Sequence, residues 1–240
     1  MRDAAPWAVV VVGAGGFGRE VIEYVRDTFP NDTHALAGVL DDRPDPSRIE
    51  ALGWHYLGTV TAYVPGDRDR FVVAIGEPRV RLRVARGLAA RGARFLTVIH
   101  PRAYVAASAR IGEGCVVAPF ASVGAGAVLG AQVQVHFCAS AAHDTIIGDG
   151  AALSPYAAVN GGAVLAEGVF LGTRATVNPL KQVGAFAKVA AGSVVYRNVP
   201  AGSLVSGNPA KARVLRFASG LGVTGGEGDE DEDGRGVEPV

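Results

Sequence analysis

From Ile99 onward every sixth residue is a large aliphatic. Sixteen of the seventeen positions from Ile99 to Val195 taken in steps of six are Ile, Leu or Val, and the exception is Ala141. Four residues after each, the side chain is usually small, as at Ala103, Ala109, Cys115, Ala121 and Ala127. A helix repeats every 3.6 residues and a half-buried strand every two, so neither produces a period of six. A six-residue unit with one large and one small inward side chain suits a parallel β-helix, in which three short strands and three corners close an 18-residue triangular coil. Gly112, Gly124, Gly130, Gly148, Gly172 and Gly184 follow the aliphatic directly, where corners are tight and backbones approach closely. Coils stack at about 4.8 Å, so about five and a half of them stand about 26 Å tall.

The first hundred residues carry a different pattern. "AVVVVGAGGFGREVIEYV" reads as an aliphatic strand, a glycine turn and a helix with Val21, Ile22, Val25 and Phe29 on one side. Gly13, Gly15 and Gly18 satisfy G-x-G-x-x-G in strand–turn–helix context, which lets a phosphate approach a helix N-terminus. "HALAGVLDD" (34–42) predicts a second strand ending in Asp41 and Asp42, and "RFVVAIG" (70–76) a third. A helix with Val80, Val84 and Leu88 inward follows, and "RFLTVI" is expected as a fourth strand feeding the repeat. The fold class is therefore a small α/β Rossmann-like unit (1–98) followed by a parallel β-helix (99–218). Arg79, Arg81, Arg83 and Arg86 read as a solvated face of that helix, with a phosphate contact as the alternative.

Composition narrows the function classes. The 240 residues carry 23 basic and 23 acidic side chains, so no global field points to nucleic acid or a membrane surface. Two cysteines, Cys115 and Cys138, form neither a disulfide framework nor a metal-ligand spacing. "WAVVVVGAGGFG" is too short and glycine-broken for a membrane span and lacks the flanks of a signal peptide, so a cytoplasmic protein is expected. Residues 219–240, with few apolar side chains and an acidic block, are expected to be a disordered tail.

The repeat, together with "NVPAGSLVSGNPAKARVL" (198–215), resembles the hexapeptide-repeat acyltransferases. "VGAGGFGRE", "GVLDD", "AIGEPRVRLRV" and "VIHPRAYV", in that order ahead of the repeat, are similar to one subgroup of them, the nucleotide-sugar N- and O-acetyltransferases of the bacillosamine and sialic-acid type. The resemblance covers roughly residues 8 to 215 and implies a left-handed prism, a homotrimer and acetyl-CoA as donor, with no metal. It implies that Gly13, Gly15, Gly16, Phe17, Asp41, Asp42 and Gly76 hold the nucleotide-linked sugar. The alternative is that those glycines only make a tight turn and the acids are solvated. A nicotinamide dinucleotide is the other reading of the glycine loop, but its acid stands 28 residues beyond Gly13 rather than about 20.

His143 and Asp144 stand two and three residues after Ala141, which puts them at a corner of the prism. Acetyl transfer needs a base for the incoming nucleophile; a neutral imidazole suits that near pH 7, and a neighbouring carboxylate fixes its tautomer. The subgroup carries His-Asp or His-Glu at this place, which implies His143 as general base and Asp144 as its orienter. Gly161, one coil on, is implied as an oxyanion donor, and Gly172, Thr173 and Ala190 as neighbours of acetyl-CoA. His136 replaces an Asn that commonly touches the sugar, and Ala152 a His that often lies near the donor. O-acetylation is the close alternative. A zinc site resembling that of the γ-class carbonic anhydrases, using His100, His136 and His143, is a reading of another class, as is a non-catalytic nucleotide-sugar-binding protein. The seven-residue spacing of the last two histidines fits the zinc enzymes poorly.

Overall fold

The computed structural model describes residues 7–30, 36–45, 49 and 52–213; the first residues of the expected second strand, His34 and Ala35, and the acidic tail lie outside these. Strand β1 (Ala8–Val12) is central in a four-stranded parallel sheet, between β2 (Leu36–Leu40) and β4 (Asp69–Val73). Its alternating side chains face opposite ways. Val9 and Val11 pack with Val21, Ile22 and Val25 of helix α1 (Gly16–Thr28), and Val10 and Val12 with Ala85 and Leu88 of helix α2 (Pro78–Ala89). The outer strand, β3 (Tyr56–Gly58), pairs with β2.

Two expectations need correction here. "RFLTVI" does not supply the fourth strand of this sheet: Phe95 makes one parallel bridge to Phe71, and Val98–Ile99 already belongs to the prism. The fourth strand is β3, whose partly exposed Tyr56 and Leu57 give no apolar run to read. On α2, Leu88 is buried as expected, but Val80 and Val84 are only partly covered while Arg81 and Leu82 are buried. The helix has a second covered face because it also lies against the prism.

Between Val98 and Val195, where every residue is described, seventeen two-residue strands recur every six residues. They stack into three parallel walls. Wall 1 starts at Val98–Ile99, wall 2 at Tyr104–Val105 and wall 3 at Arg110–Ile111, with partners 18 residues apart, such as Ala141↔Val159 and Ile147↔Leu165. The every-sixth aliphatics from Val117 onward are buried inside with the small residues between them. Val133 and Val169 fill two of the small positions. Wall 1 is extended by Leu204–Gly207 and by the antiparallel strand Ala210–Arg213, which closes the top.

Close packing along one axis makes interior truncation costly. Leu153, fully buried, touches coils above and below; Leu153→Ala is expected to lose about 3 kcal/mol of stability. A chemical-denaturation midpoint at fixed protein concentration measures it.

Corners are where the chain departs from ordinary backbone. Phe120, Gln132, Cys138, Asp144, Tyr156, Arg174, Leu180 and Phe186 all adopt φ between +56° and +62°. Such residues cost on the order of 1 kcal/mol each. Backbone bonds to the coil below hold them, as where the Asp144 N–H donates to the Ala125 carbonyl at 2.9 Å.

Wall 1 carries the α/β unit. Val98, Val116 and Ala118 join α1 and the sheet in one buried cluster. Around α2, Arg86 pairs with Glu167 at 2.6 Å, Lys188 with Glu77 at 3.0 Å, and the Arg79 guanidinium lies 4.0 Å from the Phe186 ring centroid.

Candidate active site

His143 stands at the corner between walls 2 and 3, just after the strand Ser140–Ala141. Ala141 is buried inside the prism, whereas the His143 side chain is 70% exposed and Asp144 72%. The left-handed turn at Asp144 brings its carboxylate back to the ring, Nδ1 to Oδ2 at 2.9 Å. An imidazole donating from Nδ1 keeps its lone pair on Nε2. Directly below, Gly124 leaves room for the chain: a Cβ there would lie 2.7 Å from the His143 nitrogen. Above, a Cβ on residue 161 would fall 2.5 Å from both Cε1 and Nε2 of His143. The ring therefore lies over the bare backbone of Gly161. The Gly161 N–H has no acceptor among the described residues, while the next N–H, of Gly162, donates to the His143 carbonyl at 3.0 Å.

A second locus forms at the carboxyl ends of the sheet strands. A cleft of about 640 Å³ opens there, lined by Gly13, Asp41, Asp42, Ile75, Arg83 and Arg91. It lies where the strand order reverses between β1 and β4, the crevice that open parallel sheets offer to ligands. The α1 N-terminus opens beside it after Gly15, with no side-chain cap. Asp41 organises this loop: Oδ2 accepts from the Ala14 N–H at 2.7 Å, and Oδ1 from the Arg43 N–H at 2.7 Å. Asp42 Oδ1 accepts from the Val60 N–H at 2.8 Å. Phe17, in the first turn of α1, meets His136 across the junction with the prism, ring centroids 4.5 Å apart. His136 is half-buried, and burial first, then the positive charge of Arg81, push its pKa down to about 4.

Residues 8–88 match the family described as the PglD N-terminal domain. The chain is 30% identical over 210 residues to the GDP-perosamine N-acetyltransferase of Escherichia coli O157:H7, a match covering 84% of this chain and 94% of that one. The chain belongs to the hexapeptide-repeat nucleotide-sugar N-acetyltransferases. Among solved structures it is similar to PerB from Caulobacter crescentus in complex with CoA and GDP-perosamine (32% identity, TM-score 0.78, 86% of this chain and 97% of that one). It is also similar to the acetyltransferase domain of PglB from Neisseria gonorrhoeae in complex with acetyl coenzyme A (31% identity, TM-score 0.75, 86% and 98%). Its prism is a left-handed β-helix and its sheet Rossmann-like.

The expected site residues of this N-acetyltransferase fall in three places. His143, Asp144 and Gly161 meet at the corner between walls 2 and 3. Gly172 and Ala190 lie one above the other at the corner between walls 1 and 2, in line with His136, and Thr173 follows Gly172 at the same corner. The numbers of His136, Gly172 and Ala190 differ by multiples of 18, so their stacking was readable in the sequence. Gly13, Asp41 and Asp42 line the cleft at the strand ends, with Gly15 and Gly16 at the start of α1; Gly76 is exposed just beyond β4. Ala152 is buried within wall 1, between Gln134 and Phe170.

Two further residues are buried in polar contacts away from the His143 corner. His100 is buried, with Nε2 2.9 Å from Asp27 on α1 and Nδ1 accepting from the Arg102 N–H. Among the described residues no three of His, Cys, Asp and Glu converge as metal ligands. Arg81, read from sequence as solvated or phosphate-facing, is neither: its exposure is 0%. The overlooked signal is Gln134, a buried amide on the outward side of wall 1, which needs polar partners from whatever covers it.

Proposed function

We propose that this protein transfers the acetyl group of acetyl-CoA to the amino group of a nucleotide-linked amino sugar, by direct attack in a ternary complex. The observation that carries the reading is the His143–Asp144 pair held over Gly161. Nε2 of His143 takes a proton from the neutral amine as its nitrogen attacks the thioester carbonyl. The C–N bond forms, the C–S bond breaks, and the departing thiolate takes the proton back from the imidazolium. Asp144, on Nδ1, stabilises the imidazolium in between. The open N–H of Gly161 suits the developing oxyanion. The strand-end cleft and the α1 N-terminus receive the nucleotide, through Gly13, Gly15, Gly16, Phe17, Asp42 and Gly76, with Asp41 shaping the loop. His136, neutral and against Phe17, meets the sugar. Gly172, Thr173 and Ala190 line the donor's path.

The working form in this reading is a homotrimer in the cytoplasm. His143 and Gly161 occupy one corner of the prism, while His136, Gly172 and Ala190 occupy the next, with wall 2 between them. Side-by-side packing of wall 2 around a threefold axis brings the first corner of one copy against the second corner of its neighbour. That second corner carries an exposed aromatic ladder, Phe120 (53%), Phe137 (37%) and Tyr156 (49%), with ring centroids 5.6 and 5.8 Å apart. The double substitution Phe120→Asp with Tyr156→Asp is expected to yield monomers in analytical ultracentrifugation, with acetyl transfer lost. An unchanged sedimentation coefficient excludes this face as the interface.

The deciding experiment measures thiol release from acetyl-CoA against UDP-, GDP- and dTDP-linked amino sugars and their hydroxyl counterparts. Turnover with an amino sugar supports the proposal, and turnover only with the hydroxyl series makes it an O-acetyltransferase. Silence across the panel, with clean NAD binding instead, overturns it. No helix among the described residues is long and apolar enough to cross a membrane.

A further inference from the structure

Arg81 is a buried cation that forms no ion pair with a carboxylate among the described residues. Its six acceptors are neutral: Nε donates to the Gln132 carbonyl (3.0 Å), Nη1 to the Ile75 and Gly76 carbonyls (2.6 and 3.0 Å) and to Gln134 Oε1 (2.9 Å), and Nη2 to the Gly150 and Ala151 carbonyls (2.6 and 3.3 Å). Gln134 completes the clasp, its Nε2 donating to the Val73 and Ile75 carbonyls at 3.2 Å each. Burial pushes the guanidinium pKa down to about 10, so it stays charged at neutral pH.

Taking a guanidinium out of water is costly, and a methionine of similar length would pack the same space without that cost. What methionine lacks is the fork that grips two polypeptide segments at once. One segment is the prism, at its corner and wall. The other is the turn after β4, where Ile75 lines the strand-end cleft and the exposed Gly76 follows. In a planar trans peptide, a carbonyl drawn one way turns its own N–H the other way. With the Ile75 and Gly76 carbonyls drawn to Arg81, the N–H groups of Gly76 and Glu77 face away from it. Neither N–H has an acceptor among the described residues.

We propose that Arg81 is a positioning residue for the acceptor: it fixes the turn Ile75–Glu77 against the prism, so that the outward N–H groups and a buried positive charge behind them receive the diphosphate of the nucleotide sugar. The inference rests on the strand-end cleft being the acceptor site. It goes beyond that reading in assigning diphosphate recognition to a side chain that never reaches the cleft. Arg81 also lies close enough to His136 for its charge to oppose protonation of the ring. One cation thus faces both the diphosphate turn and the ring against Phe17.

The test compares wild type, Arg81→Met, Arg81→Lys and Gln134→Met. Calorimetric titration with GDP, UDP and dTDP is combined with steady-state kinetics on whichever amino sugar the wild type acetylates. Arg81→Met is expected to weaken nucleotide binding and raise the acceptor KM about ten- to a hundredfold, the range for hydrogen bonds to a charged group, with the acetyl-CoA KM within about twofold. Arg81→Lys restores part of the loss because it keeps the charge. Gln134→Met, which leaves the cation in place but removes the Gln134 bonds that help hold the turn, gives an intermediate loss and covers the case in which Arg81→Met does not fold. A merely structural role would lower the melting temperature and raise both KM values together in all three variants. That result, or unchanged acceptor KM in Gln134→Met or Arg81→Met, overturns the proposal while leaving the cleft assignment standing. A wild type that binds none of the three nucleotides overturns the cleft assignment and this inference with it.

Discussion

His143→Asn is expected to fold as the wild type does and to bind both substrates, yet to turn over about a thousandfold more slowly. The magnitude is that of a positioned general base, which contributes roughly 10²- to 10⁴-fold. Fold retention follows from the side chain's 70% exposure and from its lack of any packing role inside the prism. Asparagine keeps a polar side chain at this exposed corner, but it cannot accept a proton at neutral pH. The loss is therefore expected in kcat, with KM for donor and acceptor nearly unchanged. Steady-state thiol release with purified protein, checked by circular dichroism and calorimetric nucleotide binding, reads both halves. A kcat within tenfold of wild type removes His143 from the role assigned to it.

Gly161→Ala separates position from presence. The added Cβ would meet Cε1 and Nε2 of His143 at 2.5 Å, so one must move. The atoms in the way are the tip of an exposed side chain, which shifts cheaply. Stability should change by less than about 0.5 kcal/mol, in the range of ordinary surface substitutions. Activity should fall about a hundredfold, because an imidazole displaced by about 1 Å no longer meets the proton it must take. Gly124→Ala supplies the contrast. Its Cβ would meet backbone, the His143 nitrogen at 2.7 Å and the Ala142 carbonyl carbon at 2.8 Å, so the coil itself must distort. There a drop in melting temperature accompanies the lost activity. A Gly161→Ala protein with full activity would mean that the ring works from some other orientation.

The prism was legible residue by residue because its packing is nearly one-dimensional: Val117, Val123 and Leu129 each face the same axis, so a fixed spacing in sequence is a fixed place in space. His143 stood out for the same reason, since an every-sixth pattern marks what falls outside it. The strand-end cleft was legible in Gly13, Asp41 and Asp42, though not the division of labour among them. Both acids are spent partly on backbone N–H groups, Asp41 on Ala14 and Arg43 and Asp42 on Val60. Arg81 was not legible. Helix periodicity separates one wet face from one dry face, and α2 has two dry faces, one on the sheet and one on the prism. An arginine between two covering surfaces looks in sequence like an arginine facing solvent. The strand Tyr56–Gly58 escaped for a related reason, because an edge strand covered on one side carries no run of valines.

The 18-residue register also sets how the chain can change length. Inserting a full coil between Gly161 and the closing hairpin would lift the top by about 4.8 Å while leaving every later side chain on its original bearing. Six or twelve extra residues would instead swing everything above them round by one or two sides of the triangle, carrying Gly172 and Ala190 off their vertical line with His136. Viable length variants of this enzyme should therefore come in multiples of eighteen.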